Sequence, residues 1–169
     1  NSIALGALIT GAAKPYQLTD DDFARIKAKL IAQKALLLSY YAGFDDGVNL
    51  FHQNGVKLMY SMGEPQVGAL IKKGIQAALT IPEERAVGWL ACWEVSAGVK
   101  DKDLAHAWIN ACLDPSVGKV LTEKLNYGNT KNPDVNAAVK MTYGGKLSWL
   151  EPSESYEKRV AVWDEIKAG

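Results

Sequence analysis

Several aromatic side chains stand beside residues that turn the chain. Trp89 and Trp93 share one extended segment, Tyr127 precedes Gly128, Trp149 precedes Glu151-Pro152, and Tyr60 ends an alternating run. Indole and phenol faces attract organic ammonium groups through cation–π interaction, worth about 0.5 to 2 kcal/mol each depending on desolvation. A cleft lined by these residues therefore suits an amine. Trp108 and Trp163 fall at apolar positions of helical stretches and are expected in the core.

Other reactive residue types carry less. His52 and His106 each sit on a helical stretch among polar neighbours, with no Ser or Cys in a nucleophile-elbow context, so both are expected on the surface. Walker and G-x-G-x-x-G loops are absent from the sequence, and Gly144-Gly145 marks only a turn. Asp20-Asp21-Asp22 lies in the first turn of a helix, where the macrodipole favours acids without any metal. The two cysteines, Cys92 and Cys112, are too few for a zinc site. They either form one disulfide in an oxidising compartment or act as small buried apolar side chains. No acid–base pair can be assembled, so the sequence does not read as an enzyme, and it calls for no cofactor or metal.

The 169 residues, 48% of them apolar, suffice for one compact domain with a core but not for two full lobes. Nineteen basic and nineteen acidic residues cancel, which leaves no electrostatic footprint for nucleic acid or anionic membrane. Apolar runs such as Ala35-Leu36-Leu37-Leu38 are far shorter than the roughly 20 residues of a membrane span. Ser2 to Ile9 already reads as an apolar helix with nothing ahead of it, from which we expect missing sequence upstream.

The elements that must position the aromatics follow from periodicity. Thr19 with Asp22 forms a capping-box start, and Phe23, Ile26, Leu30, Leu37 and Tyr41 continue at helical spacing to Gly43. Asp45 and Asp46 cap a short helix that Asn54-Gly55 ends. Val56, Leu58 and Tyr60 alternate as in a strand, and Gly63-Glu64-Pro65 opens a helix that closes at Lys72-Lys73-Gly74. Ile75 to Ile81 is a second expected strand. Alternating strands and helices predict an α/β layer with a largely parallel sheet. Ligands of such sheets sit beyond the strand C-termini, which makes Tyr60-Ser61-Met62-Gly63-Glu64 a candidate binding turn.

The segment Gly88-Trp89-Leu90-Ala91-Cys92-Trp93-Glu94-Val95, the amphipathic stretch from Lys100 to Asn110 and the stop at Asp114-Pro115 resemble the hinge-crossing region of polyamine-type solute-binding proteins that serve ABC importers. The likeness extends over most of the chain. It includes Gly55 to Ser61, Ile81-Pro82-Glu83-Glu84, Leu125 to Pro133, and the closing stretch with Tyr156, Trp163 and Asp164 to Gly169.

The resemblance implies the α/β, type II periplasmic binding fold: mostly the second lobe of a two-lobed clamp, plus a piece of the first. Residues 1–88 would be a second-lobe segment, 89–139 the hinge crossing and return to the first lobe, and 140–169 a C-terminal segment packing on the second lobe. It further implies a monomeric periplasmic receptor whose partners are a small amine or zwitterion and the membrane permease of an ABC importer.

The ligand-binding positions it implies are Trp89, Tyr60 or Ser61, Tyr127 and Trp149, with Glu64 at the cleft edge. A family carboxylate falls near Ser2 and is missing here. A second family carboxylate, two residues after the tryptophan, is replaced by Ala91. Glu94 would face the opposite side of a strand. An unpaired buried ammonium costs several kcal/mol, so a solute with one amine and one carboxylate, of the 4-aminobutyrate kind, is expected before a polyamine such as putrescine or spermidine. Its carboxylate would need an arginine, and Arg25, Arg85 and Arg159 are not marked as cleft residues. A non-transport protein-interaction module is the competing reading, and it predicts that the aromatics do not converge.

Overall fold

A computed structural model describes residues 1–53, 55–141 and 144–169. The chain forms two compact units, one of residues 1–40, 81–90 and 145–169, the other of residues 41–80 and 91–144. Residues 41–80 group with 91–144.

In the first unit, helices α1 (Ser2–Ile9), α2 (Asp20–Lys34) and α8 (Tyr156–Ala168) pack on one another. Their shared core is Ile3, Ala7, Leu18, Phe23, Ile26, Leu30 and Ile166. Phe23, Ile26 and Leu30 recur at helical spacing and so face one side of α2. Gly6 permits the close approach of α1, because a Cβ there would stand 2.6 Å from Ile26 Cγ2. The capping box at Thr19 is made in both directions: the hydroxyl accepts from the Asp22 N–H at 3.2 Å and the Asp22 carboxylate accepts from the Thr19 N–H at 3.0 Å.

Helix α2 stops at Lys34, well before the expected Gly43. The Tyr40 ring is anchored edge-on against Trp163 with centroids 5.1 Å apart. Tyr41 is hydrogen-bonded within the second unit. Leu36 and Leu38, beyond the helix end, are left exposed.

The sheet is parallel but small. Strands β1 (Ala86–Gly88) and β2 (Leu147–Trp149) pair in the register Ala86 to Leu147, Val87 to Ser148 and Gly88 to Trp149. Neither expected strand, 56–60 or 75–81, is formed. A strand needs a neighbour for its N–H and C=O groups, and among the described residues neither stretch has a ladder partner. Residues 75–80 keep the alternation that suggested a strand, with Ile75, Ala77 and Leu79 half-buried and Gln76, Ala78 and Thr80 exposed.

The second unit holds α3 (Phe44–Gln53), α4 (Glu64–Lys72), α5 (Lys102–Cys112), α6 (Pro115–Leu125) and α7 (Pro133–Ala138). Local signals set their ends. Asp101 accepts from the Leu104 N–H at 2.8 Å and Asp114 from the Ser116 N–H at 2.8 Å. Pro65 and Pro115 occupy first turns, and Asn126 ends α6 in the left-handed region at φ 57°. Gly55 follows α3 with φ 65°, while its predicted partner Asn54 lies outside the described residues.

One ion pair closes the first unit. Arg159 donates to Glu154 at 2.8 Å and to the Pro15 carbonyl at 2.7 Å, and Glu154 accepts from the Leu18 N–H at 3.3 Å. Burial alone would raise the Glu154 pKa. The hydrogen bonds from Arg159 and the Leu18 N–H, with the Arg159 charge, outweigh it and hold the carboxyl below its ordinary value of 4.5. A depressed carboxyl contributes stability in full above its unfolded value, and that contribution is lost as pH falls through the folded one.

Thermal unfolding followed from pH 7 to pH 3 should therefore show an acid-side loss of stability that Glu154→Gln makes shallower. Arg159→Ala at neutral pH should cost about 2 kcal/mol, since it unpairs charge-assisted bonds to two segments. Thr19→Ala should cost about 1 kcal/mol through the lost cap, measured by chemical denaturation.

Candidate functional site

The turn Tyr60–Glu64 leads directly into α4. Gly63 is the N-cap with φ 107°, a backbone region that excludes most side chains. Ser61 braces the turn: its Oγ accepts from the Gly63 N–H at 2.8 Å and donates to the Gly63 carbonyl at 3.1 Å. Glu64 opens the helix, half-buried, where a carboxylate is favoured by the macrodipole. Tyr60 is partly exposed, and its carbonyl accepts from the Tyr41 hydroxyl at 2.6 Å.

Beneath the turn lies Gln66, fully buried on α4. Its Oε1 accepts from the Met62 N–H at 2.6 Å and its Nε2 donates to the Phe44 carbonyl at 2.9 Å. Both partners act in one direction only, so they dictate the orientation of the amide. Gly47 on α3 makes room for this group, because a Cβ there would stand 2.6 Å from Gln66 Nε2 and 2.8 Å from the Tyr41 ring. Burial, with a smaller contribution from neighbouring Tyr60, raises the Tyr41 pKa against the opposing bond to Gln66, which keeps the phenol a neutral donor.

Tyr127, also partly exposed, follows the left-handed Asn126. The Asn126 amide sits over α4, where a Cβ on Gly68 would come within 2.5 Å of its Nδ2. This brings the Tyr127 backbone beside the helix that Glu64 opens and that the turn with Tyr60 and Ser61 precedes.

In the first unit, parallel pairing puts Trp89 and Trp149 at the same, C-terminal edge of the sheet: Trp149 ends β2 and Trp89 follows the last residue of β1. Trp149 Cε3 lies 3.1 Å from the place a Gly88 Cβ would take, so glycine at 88 lets the indole lie over the strand. Trp89 is 53% exposed and Trp149 44%, high for tryptophan. An edge of this kind is where open α/β sheets receive ligands. Ser2 lies at the start of α1, a helix that packs beside β1.

The predicted residues thus gather into two sets, Trp89 with Trp149 in one unit and Tyr60, Ser61, Glu64 and Tyr127 in the other. Three expectations need correction. Trp108 is 62% exposed and not in a core, because α5 buries no residue; with Trp93, Val95, Val99 and Leu104 it lines an open groove. Residues 89–94 lie outside β1, so strand alternation does not set Ala91 and Glu94 on opposite faces. Cys92 is exposed and Cys112 half-buried, and they are not bonded. Trp163 packs against the core as expected, and His52 and His106 are exposed.

Gln66, Tyr41 and Gly47 were not marked by sequence reasoning. A glutamine just inside a proline-started helix reads as a solvated residue, and the periodicity assigned Tyr41 to the buried face of α2. The nearest signal was Gly47 within a capped amphipathic helix, where glycine costs about 1 kcal/mol relative to alanine and so calls for a packing reason.

Among the described residues, no group of three or more His, Cys, Asp or Glu side chains is placed to hold a metal ion, and no helix is long and apolar enough to cross a membrane. No family model matches the chain. The chain is similar to the putrescine-binding periplasmic protein PotF of Escherichia coli (strain K12), 27% identical over 111 residues, which cover 58% of this chain and 30% of that protein. The chain spans less than a third of the length of this curated relative.

Proposed function

We propose that the chain belongs to a solute-binding receptor for a small organic amine, of the type II periplasmic fold, that delivers its solute to the permease of an ABC importer. The observation that carries this reading is the pair of exposed tryptophans at the C-terminal edge of a parallel sheet, in a chain similar to a putrescine-binding periplasmic protein. Trp89 and Trp149 would supply ring faces to an ammonium group, as would Tyr60 and Tyr127. Ser61 and Glu64 would supply polar contacts from the turn before α4. In this reading residues 1–88 and 140–169 belong mostly to the second lobe, and 89–139 cross the hinge and return.

The name of the relative favours a diamine, whereas Ala91 favours a solute with one amine, such as 4-aminobutyrate. Because residues 89–94 are not a strand, alternation gives no ground for excluding the exposed Glu94 as a carboxylate partner.

Isothermal titration of the full-length protein with putrescine, spermidine and 4-aminobutyrate tests the proposal. Saturable heat with at least one of them is expected, and Trp89→Ala should weaken it by about 3- to 30-fold, the loss of one cation–π contact. Heat with 4-aminobutyrate alone would tie the preference to Ala91, and heat with a diamine would tie it to carboxylates such as Glu94. A folded protein that binds none of the three would contradict the amine reading.

A further inference from the structure

We infer that Gln66 is a positioning residue of the binding turn. It sets the conformation of Tyr60–Glu64 from below, without itself being a ligand contact. The inference rests on the amine-receptor reading for what the turn binds, but its argument comes from the geometry of the second unit.

A fully buried amide is tolerated only when its donor and acceptor are satisfied. Gln66 meets this by bonding to two segments at once. Its Nε2 holds the Phe44 carbonyl at the start of α3, and its Oε1 holds the Met62 N–H in the middle of the turn. The Tyr41 hydroxyl stands 3.3 Å from the same Oε1, and its single proton goes to the Tyr60 carbonyl at 2.6 Å. The turn is therefore held at two successive points, the Tyr60 carbonyl by Tyr41 and the Met62 amide by Gln66, on either side of Ser61.

Ser61 is in turn locked by its own bonds to Gly63. The Tyr60 ring and Ser61 hydroxyl thus leave a backbone that has little freedom to drift. Gly47 completes the arrangement by leaving space for both the Gln66 amide and the Tyr41 ring. A ligand group displaced by about 1 Å loses much of its effect, so a buried group that fixes the turn should show in affinity even though it never touches solute.

The test is titration of the full-length protein and its variants with the amine that the wild type binds, beside thermal unfolding and amide hydrogen exchange at Met62. Gln66→Met keeps the volume and deletes both bonds, and should weaken binding about 10-fold while Met62 exchanges faster. Tyr41→Phe keeps the ring and frees the Tyr60 carbonyl, and should weaken binding about 5-fold with α3 and α4 intact; it decides the matter if Gln66→Met does not fold.

Gln66→Glu gives a readout that a merely structural role would not produce. A buried glutamic acid has a raised pKa. Protonated, it can donate to the Phe44 carbonyl and accept from the Met62 N–H as the amide does. Ionised, it sets a carboxylate against the Phe44 carbonyl. Its affinity relative to wild type should be near 1 at about pH 5 and fall about 10-fold by about pH 8.

The other titratable groups around this position are Tyr41, Tyr60, Asp45, Asp46 and Glu64. Tyr41 stays protonated throughout, and all five are common to the wild type, so the ratio cancels them. Wild-type protein that binds no amine would overturn both the receptor reading and this inference. Wild-type binding with unchanged affinity in folded Gln66→Met and Tyr41→Phe would overturn the positioning role alone.

Discussion

A single buried amide constrains the second unit. With Gln66 sealed from solvent, both of its polar ends must be bonded, and the partners within reach are the start of α3 and the turn before α4. The requirement propagates outward. Gly47 must lack a side chain, and the Tyr41 ring must lie beside it. The apolar burial around this amide is thin, with Val48 and Leu70 as its main buried hydrophobics, so directional bonds specify the local conformation where a larger core would otherwise do so.

The first unit is organised differently. Ile3, Ala7, Phe23, Ile26, Leu30 and Ile166 form a conventional three-helix contact, and the Glu154–Arg159 pair ties the segment before α8 to the loop before α2. On that support a sheet of two short strands is enough to hold two tryptophans at one edge. The strands contribute geometry more than stability, since the parallel register decides that Trp89 and Trp149 emerge at the same end. Both units thus present aromatic side chains at strand ends and turns that packed elements hold in place.

What was legible in the sequence was local. The Thr19–Asp22 box, Pro65 in the first turn of α4 and the break between α5 and α6 at Asp114-Pro115 are each determined by residues within four positions of one another. What was not legible depended on partners distant in the chain. The alternation at 56–60 and 75–81 describes a strand only if another strand pairs with it, and Tyr40 and Tyr41 lie beyond α2 with partners the helical spacing does not show. Of the candidate site, the sequence shows aromatics beside turn residues, but not the buried support under Tyr60, because a glutamine's burial cannot be read from its neighbours. The family resemblance seen in the motifs finds a partial counterpart in the 27% identity to PotF.

The central claim is that an amine is received by Trp89 and Trp149 and not by the other exposed indoles of the chain. The most direct measurement is the set of five tryptophan side-chain N–H resonances during titration of the full-length protein, labelled with nitrogen-15, with putrescine and separately with 4-aminobutyrate. The account predicts that the Trp89 and Trp149 signals shift with one saturating dependence, while those of Trp93, Trp108 and Trp163 stay in place. Shifts confined to Trp93 and Trp108, or none at any indole, would contradict it.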